Sequence, residues 1–232
     1  MPVFALQSDL PFFPDPHQAD RSGLIAIGGK LEPDWLIEAY TIGIFPWFNN
    51  DDPIMWWSPS PRAVVVPGEV KKPKSMNYVF RDNIFELKID HSFEEVIKNC
   101  KSVPRKGQDG TWITEDIQRA YMQMFELGFA HSFETWQNYE LVGGLYGISL
   151  GTFFFGESMF SKVSDSSKFA FISMSEILKK NGFSMIDCQI PNPYLESMGC
   201  KKISRKKYLE LLWKNDISAT ITGNWGEKLQ LL

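Results

Sequence analysis

The 232 residues have the composition of an ordinary globular protein, with 44% hydrophobic and 22% charged residues. The net charge of −4 excludes a nucleic-acid binder that relies on overall attraction, so any RNA contact must come from local basic patches. No apolar run reaches the length that spans a bilayer, and we expect no membrane contact.

Cysteine and histidine usage indicates the compartment and the absence of a metal centre. The three cysteines lack a CxxC pair and the three histidines are scattered, which argues against a disulfide scaffold and against a metal site. The first residues lack the basic start and apolar stretch of a signal peptide. We therefore expect a cytoplasmic protein without a bound metal.

Two short basic segments are candidates for local RNA contact. The first comprises Lys71, Lys72 and Lys74 and is extended by Arg81, and the second covers residues 201–207. A solvated loop or helix face has the same composition, so the residues alone leave both interpretations open.

The first sixty residues are rich in Pro, Gly and Trp, with one short helix predicted at residues 33–40. The surrounding glycines and prolines force turns. We predict a small irregular N-terminal domain at residues 1–62, which packs against a larger domain at residues 63–232. Trp56 and Trp57 are expected to anchor the contact between the two domains.

From residue 63 onward, strand and helix patterns alternate. Ser92 is predicted to cap a helix with Glu95 in a capping box, and a further helix begins at Thr114 and ends at Gly128. Strands are predicted at 63–66, 85–89, 131–136, 141–150, 152–155 and 185–189, and the last two helices at 169–180 and 204–213. This order predicts an α+β domain with a mixed sheet flanked by helices.

The stretch YELVGGLYGISLGTFFFGESMFS, at residues 139–161, carries the first polar candidate. Its two apolar strands form a hairpin that turns near Gly151, and Glu157 follows the apolar run 153–155. Glu157 is either a surface carboxylate or a polar group at the mouth of a pocket, and the stretch alone does not separate the two.

The strand at 185–189 carries the second candidate, Asp187-Cys188-Gln189. Alternate side chains of a strand share a face, so Asp187 and Gln189 are predicted to point together, with Cys188 on the opposite side. A carboxylate and an amide can together hold a nucleophile, although a solvated face explains them equally well. Cys188 has no basic neighbour in sequence, and we expect a buried core thiol.

Loop tryptophans form the third pattern. Trp112 follows the segment GQDG at 107–110, which makes it the better candidate for stacking on an unpaired base.

Together these segments resemble the leucyl/phenylalanyl-tRNA–protein transferase family. The resemblance spans residues 10–213 and rests on GLIAIGGKLEPDWLIEAYTIGIFPWF, DPIMWWSPSPRAVV, GTWIT, ELGFAHSFETW, the 139–161 stretch, SSKFAF and DCQ. Each piece alone is weak, but GIFPWF, WWSPxPR, FGESMFS and DCQ in this order are a specific combination. The resemblance implies a small N-terminal domain followed by a GNAT-like acyltransferase domain.

The resemblance also implies the reaction. Leu or Phe, and less well Met, moves from a charged tRNA to the α-amino group of a protein that begins with Arg or Lys. The new N-terminus marks that protein for degradation by the N-end rule pathway. Such enzymes use no metal and no coenzyme, and we expect a monomer.

Carried onto this chain, the resemblance assigns Asp187 and Gln189 as the catalytic pair. Gln189 would position the amine through its carbonyl oxygen, while Asp187 orients Gln189 and receives charge. An α-amine titrates near pH ~8 and must lose a proton before it attacks. Much of the acceleration can come from holding two substrates together, an effect worth up to ~7–11 kcal/mol.

The remaining assignments concern binding. The resemblance implies a pocket for the transferred side chain and aromatic contacts to the tRNA 3′ adenosine. It also implies contacts to tRNA phosphates that do not depend on the base sequence. The positions that match are, in that order, Leu145, Glu157, Met159, Met174 and Ile186; Trp47 and Trp112; and Lys71, Lys72, Lys74 and Arg81.

Two positions depart from the family pattern. Tyr194 stands where many relatives carry a His, in a loop with Pro191 and Pro193, and Met174 stands where some carry an aromatic residue. We expect these differences to alter substrate preference and to leave the reaction class unchanged.

Three other functions compete with this interpretation. An acetyl-coenzyme A acyltransferase would need an RxxGxG/A loop before the 169–180 helix, where FSKVSD stands instead. Enzymes that add amino acids from tRNA to cell-wall peptides are typically longer and lack GIFPWF and WWSPxPR. The third, a tRNA-end binder without catalytic activity, is distinguished only by an assay.

Overall fold

A computed structural model describes residues 3–103 and 112–231 of the chain. Four short strands and one helix organise the N-terminal part, where the helix predicted at 33–40 is confirmed. The strands have only two to five residues each and lie among Gly and Pro residues, so the sequence has no alternating apolar pattern that predicts them. The elements are β1 (Phe4–Leu6), β2 (Leu24–Gly28), α1 (Pro33–Thr41), β3 (Phe45–Pro46) and β4 (Met55–Trp57), and the sheet order is β1-β2-β4-β3.

The larger sheet has seven strands within the described residues, in the order β11-β5-β10-β9-β8-β7-β6. It is mixed, because β10 runs parallel to β9 and antiparallel to β5, as the α+β prediction requires. The strands are β5 (Arg62–Val65), β6 (Glu86–Ile89), β7 (Ala130–Gln137), β8 (Glu140–Leu150), β9 (Phe153–Ser161), β10 (Met185–Gln189) and β11 (Lys201–Ile203).

Helices cover both faces of this sheet. Side chains of α1, α3, α4 and α7 share one buried core with one face, and those of α2, α5, α6 and α8 share the other. No described helix has the length and apolar character needed to cross a membrane. The helices beyond α1 are α2 (Met76–Arg81), α3 (Phe93–Ser102), α4 (Glu115–Glu126), α5 (Ser166–Lys180), α6 (Pro193–Ser197), α7 (Arg205–Leu212) and α8 (Trp225–Lys228).

The apolar run at 153–155 is explained by burial on both faces. Phe153 and Phe155 lie in the core with α3 and α4, whereas Phe154 lies in the core with α5. Each buried ring contributes about 1.5–3 kcal/mol relative to exposure. The strand continues to Ser161, six residues beyond the predicted end, so Glu157 lies on a strand and not in a loop.

One of the two predicted helix starts differs from the sequence prediction. Ser92 occupies the N-cap of α3, but its side chain makes no capping bond, so the capping box with Glu95 is wrong. Instead the Ser92 backbone N–H donates to Oε1 of Glu134 on β7, 2.6 Å away. Thr114 does cap α4, its hydroxyl oxygen accepting from the Ile117 N–H.

Trp56 packs against residues of the N-terminal part, and its role at a contact between domains stays a prediction. Its ring lies 4.7 Å from Phe13 and 6.4 Å from Trp35, and its Nε1 donates to the Gly28 carbonyl. The first sheet ends at Trp57 and the second begins at Arg62. The division into domains at residue 62 stays a prediction.

Candidate active site

A cavity of about 440 Å³ lies where the N-terminal β3, the β8–β9 hairpin, α5 and the end of β10 come together. Its wall is largely apolar, with a polar side formed by a glutamate, a glutamine and neighbouring groups. The lining residues are Phe45, Pro46, Trp47, Trp112, Leu145, Tyr146, Phe154, Gly156, Glu157, Ser158, Met159, Phe171, Met174, Cys188, Gln189, Ile190, Asn192, Tyr194 and Leu195.

Most of the predicted pocket residues meet at this cavity, although they are distant in sequence. Ile186 does not, and its assignment to the pocket wall is corrected. It is fully buried in the core on the α5 side of the sheet, where its strand pairs with Val65 and Phe154. Those that line the cavity are Trp47, Trp112, Leu145, Glu157, Met159, Met174 and Gln189.

Gln189 ends β10 in an unusual backbone conformation. Its φ is +60°, and the pairing of β10 with β5 shifts between Asp187 and Gln189. A non-glycine residue in this region needs local support. Asp187 provides it, because its Oδ1 accepts the Gln189 backbone N–H at 2.8 Å. The sequence prediction that Asp187 orients Gln189 therefore has a structural basis, through the backbone and not the amide.

The Gln189 side chain points to Glu157. Its Nε2 donates to Glu157 Oε1 at 2.7 Å, which fixes the orientation of the amide. Within the described residues, the side-chain oxygen of Gln189, Oε1, forms no hydrogen bond. The Gln189 side chain lines the cavity. An acceptor atom is thus available to a bound amine.

Glu157 is the centre of a buried polar network. It is half-buried on β9 and accepts hydrogen bonds from the Tyr40 hydroxyl at 2.7 Å, the Tyr121 hydroxyl at 2.9 Å and the Gln189 amide. Removal from water raises the pKa of Glu157 to about 7, and the nearby Asp187 charge acts in the same direction. The bonds from both tyrosines and from Gln189 oppose this rise, so the carboxyl titrates near neutral pH.

The two tyrosines were not found by sequence reasoning. Tyr40 lies on α1 and Tyr121 on α4, and their hydroxyls lie 2.5 Å apart. Both are fully buried, and burial raises the pKa of each well above its usual value, so both stay protonated as donors. A tyrosine on the apolar face of a helix looks like a core residue in the sequence, and only the tertiary fold shows its hydroxyl partner.

Asp187 lies behind the cavity in a second network. Its carboxylate accepts from Arg62 Nε at 2.9 Å, from Arg62 Nη2 at 2.7 Å and from the Tyr208 hydroxyl at 2.7 Å. Asp187 and Arg62 are 0% and 1% exposed. Asp187 therefore does not line the cavity, and it is not placed to receive charge from a substrate as the sequence reasoning expected. Its geometry is that of a positioning residue.

Arg62 is held in place from several sides. Its guanidinium carbon lies 4.7 Å from the Phe45 ring and 4.5 Å from the Tyr208 ring, and Nη1 donates to the Gly43 carbonyl. Burial alone would lower the pKa of Arg62, but the Asp187 carboxylate outweighs it and the pKa is raised. Arg62 therefore stays charged opposite Asp187, and removal of one partner would leave the other unpaired in the core.

Cys188 differs from the expectation of a fully buried thiol. It does lie opposite Asp187, on the α5 side of the sheet, but it is only half-buried and lines the cavity. Its Sγ lies 3.5 Å from Sγ of Cys200, which precedes β11.

The two tryptophans expected at the 3′ adenosine both line the cavity but differ in exposure. Trp112 is 7% exposed, whereas Trp47 is half-buried and presents more of its ring. On exposure, Trp47 is the better stacking candidate. The loop expected at 107–110 and Thr111 of the GTWIT motif lie outside the described residues.

The two basic segments adjoin each other near the end of α6. The Lys71 backbone N–H donates to the Met198 carbonyl directly after α6, whose first turn lines the cavity. Arg81, Lys201 and Lys202 are paired with Asp82, Glu69 and Glu196, which weakens them as phosphate ligands. In the part of the chain that the structure describes, Lys71 and Lys74 form no ion pair, and Lys72 lies over the Phe80 ring.

No group of three or more His, Cys, Asp or Glu side chains is placed to hold a metal ion within residues 3–103 and 112–231.

Two family models match the chain. The model described as leucyl/phenylalanyl-tRNA protein transferase covers residues 64–213, and the model of the N-terminal domain of the same protein covers residues 29–60. The chain belongs to this family. It is therefore an enzyme, an aminoacyltransferase. Arg62 falls between the two matched ranges.

Relatives with the name leucyl/phenylalanyl-tRNA–protein transferase match over nearly the full length. That of Syntrophobacter fumaroxidans is 46% identical, covering 93% of this chain and 92% of its own. That of Flavobacterium johnsoniae is 48% identical, covering 90% of this chain and 99% of its own. That of Myxococcus xanthus is 44% identical, covering 98% of this chain and 97% of its own.

Among solved structures, L-PGS from Bacillus licheniformis is similar at a TM-score of 0.38 and 11% identity. The likeness covers 73% of this chain and 54% of that chain. At this level it adds nothing to the family assignment.

Proposed function

We propose that this chain transfers Leu or Phe, and less well Met, from charged tRNA to the α-amino group of proteins that begin with Arg or Lys. The product would be a substrate of the N-end rule pathway. The proposal extends to a GNAT-like fold for residues 63–232, to catalysis without metal or coenzyme, to a monomer and to a cytoplasmic location. Membership of the family supports the reaction class, and the cavity supports its location in the molecule.

The observation that carries the proposal is the cavity itself, where apolar walls meet the Gln189–Glu157 pair. An aminoacyl ester with an apolar side chain needs both features, one to bury the side chain and one to handle the attacking amine. Burial of a Leu or Phe side chain contributes about 1.5–3 kcal/mol. Apolar pockets separate similar side chains by only about 1–3 kcal/mol, so Met is expected to be accepted less well and not excluded.

The chemistry requires one proton to leave the amine. The α-amino nitrogen attacks the ester carbonyl carbon, the C–N bond forms, and the C–O bond to the ribose breaks. The Gln189 carbonyl oxygen accepts an N–H of the amine and orients its lone pair. Glu157, with a pKa of about 7, takes the proton that the attacking nitrogen loses and passes it to the ribose oxygen as the C–O bond breaks.

The tRNA contacts follow from what surrounds the cavity. Trp47 and Trp112 are proposed to contact the terminal adenosine, because both aromatic side chains line the cavity. Lys71, Lys72 and Lys74, close to the end of α6, are proposed to contact phosphates without reading sequence.

Purified protein, Leu-tRNA labelled on the leucine, and two peptides that differ only in an Arg or Ala N-terminus test this function. We expect label on the Arg peptide alone, without added metal or coenzyme A. Label on neither peptide, despite binding of the charged tRNA, would leave a tRNA-end binder as the better account. Label on both peptides would contradict the acceptor rule.

A further inference from the structure

Cys188 and Cys200 form a pair of thiols at the wall of the cavity. Their Sγ atoms lie 3.5 Å apart, although twelve positions separate them in sequence. Cys188 is half-buried and lines the cavity, while Cys200 is 9% exposed behind it. A small solute that enters the cavity therefore reaches Cys188 first.

The surroundings favour reaction between these two thiols. The hydrogen bond that they share lowers the pKa of Cys200, while this bond and burial raise the pKa of Cys188. The remaining cysteine, Cys100, is fully buried on α3 in the core on the opposite face of the sheet. Cys188 and Cys200 are therefore close enough to form a disulfide with each other, whereas Cys100 lies on the other face of the sheet.

We propose that Cys188 and Cys200 are an oxidation site, which a hydroperoxide converts to a reversible disulfide that switches off the transfer reaction. The loss of transfer activity rests on the proposed function, whereas the formation of the disulfide does not.

The step balances with the peroxide as oxidant. One thiol attacks the peroxide, the O–O bond breaks, and a sulfenic acid and one molecule of water or alcohol form. The second thiol attacks the sulfenic sulfur, the S–S bond forms and water leaves. The two thiols lose two electrons to the peroxide, and a dithiol reductant reverses the change by exchange.

The expected effect on the site follows from geometry. A disulfide has an S–S distance of about 2.05 Å, so the two sulfurs must approach by roughly 1.5 Å. Cys188 lies between Asp187 and Gln189, where the strand register already shifts and Gln189 has a positive φ. Where β10 takes up part of this approach, the Gln189 amide is displaced from Glu157, which it now contacts at 2.7 Å.

To test this, the purified full chain is treated with hydrogen peroxide and the reaction is quenched. One half of the sample is digested without reduction and analysed by mass spectrometry. The other half is assayed for leucine transfer to the Arg peptide before and after dithiothreitol. Cys200→Ala removes the partner without touching a cavity residue, and Cys100→Ala is the matched control.

We expect a linked peptide pair that contains Cys188 and Cys200, a loss of transfer of tenfold or more, and recovery with dithiothreitol in the wild type and in Cys100→Ala. Cys200→Ala should show no linked pair and no dithiothreitol-reversible loss. The absence of the linked pair in the wild type overturns the oxidation site, and a linked pair with unchanged transfer overturns the switch. If untreated protein transfers no label, the proposed function fails, while the peptide masses still decide whether the disulfide forms.

Discussion

At the scale of single residues, the ionisation of Glu157 follows from two opposing effects. A carboxylate that accepts several hydrogen bonds ordinarily has a lowered pKa, because those bonds favour its charged form. At Glu157 the loss of water on burial is larger and raises the pKa to about 7. The result is a carboxyl that exchanges its proton at neutral pH, beside an amide whose oxygen is available in the cavity.

Glu157→Gln keeps the shape of this side chain and removes its charge. If the carboxylate takes the proton from the amine, the wild-type rate rises as the pH increases through about 7, because the active form is deprotonated. We expect the variant to lose about 10²-fold in transfer rate and to lose this inflection. The pH profile of single-turnover transfer measures both.

The acceptor amine itself titrates near pH ~8, and that inflection is expected to remain in wild type and variant alike. Glu140→Gln, at an exposed position on β8, is the matched control and should behave as the wild type. A Glu157→Gln enzyme with an unchanged rate and profile would show that another group accepts the proton.

The buried Arg62–Asp187 pair predicts an asymmetry in stability. Arg62→Met leaves an unpaired carboxylate in the core and is expected to cost about 3–5 kcal/mol of unfolding free energy. The double variant Arg62→Met/Asp187→Leu should be more stable than this single variant, because no charge remains buried. Urea unfolding gives these values, with Arg81→Met, whose partner Asp82 is exposed, as a control of little effect. Equal stability of Arg62→Met and wild type would contradict the pairing.

The residues of the site differ in how far the sequence predicts them. Glu157 and Gln189 follow from short motifs and from the resemblance, and both line the cavity. Tyr40 and Arg62 do not follow, because each donates a hydrogen bond to a carboxylate that lies more than a hundred residues away in the sequence. A pattern along the chain carries no information on such pairs. Cys188 was misjudged for a related reason, since a cavity beside a strand is invisible in the strand's own alternation.

At the scale of elements, the site depends on two helices that lie far apart in the chain. α1 belongs to the N-terminal part and α4 to the larger part, and each supplies one hydroxyl to Glu157 on β9. The N-terminal part thus contributes a functional contact as well as Phe45 and Trp47 in the cavity wall. The pKa of Glu157 is thus set by side chains from both parts of the chain.

Tyr40→Phe tests this dependence on α1. The hydrogen bond from Tyr40 lowers the pKa of Glu157, so its removal raises that pKa further. The inflection of the transfer rate should move to higher pH, and the rate at pH 7 should fall, with a stability loss of about 0.5–1.5 kcal/mol. The pH profile is compared with that of Tyr78→Phe, at an exposed tyrosine on α2. A shift to lower pH, or none, would be inconsistent with the contact.

Elements with a regular apolar pattern were predicted from the sequence, including the short β5, β6 and β10, whereas short elements without such a pattern were not. β10 has the predicted bounds, and α1, α4 and α5 agree within a few residues, because each buries a regular apolar pattern. The four N-terminal strands and β11 have at most five residues, and their backbone pairing leaves no periodic signal in the side chains. The end of β9 was missed because polar residues begin where the strand reaches the cavity.

At the scale of the whole molecule, a net charge of −4 must be reconciled with a tRNA substrate. Acidic partners neutralise several basic side chains, which leaves Lys71 and Lys74 without ion pairs among the described residues. Lys71 lies near the end of α6, whose first turn lines the cavity, and Lys74 follows three residues later, so local placement replaces overall charge.

Lys71→Gln/Lys74→Gln should weaken tRNA binding and reduce its salt dependence. Each lost phosphate contact lowers the slope of log K against log salt by about 0.7–0.9, so the double variant should lose roughly 1.5. Binding of charged tRNA at several salt concentrations measures the slope. Lys98→Gln/Lys101→Gln on α3 makes the same change in net charge elsewhere, and an equal effect of both double variants would argue against a local phosphate site.

We propose that the transferred side chain occupies the cavity, and Met174→Phe tests this placement. Met174 lies on α5 and lines the cavity, so a larger ring there leaves less room for Phe than for Leu. Leu127→Phe, at a position 54% exposed, is the control, and thermal unfolding checks that both variants fold.

The measurement is the ratio of single-turnover rates for Phe-tRNA and Leu-tRNA with the Arg peptide. We predict that Met174→Phe lowers this ratio by about tenfold, equivalent to about 1.4 kcal/mol, while Leu127→Phe leaves it unchanged. A folded Met174→Phe enzyme with the wild-type ratio would contradict the claim and place the transferred side chain elsewhere.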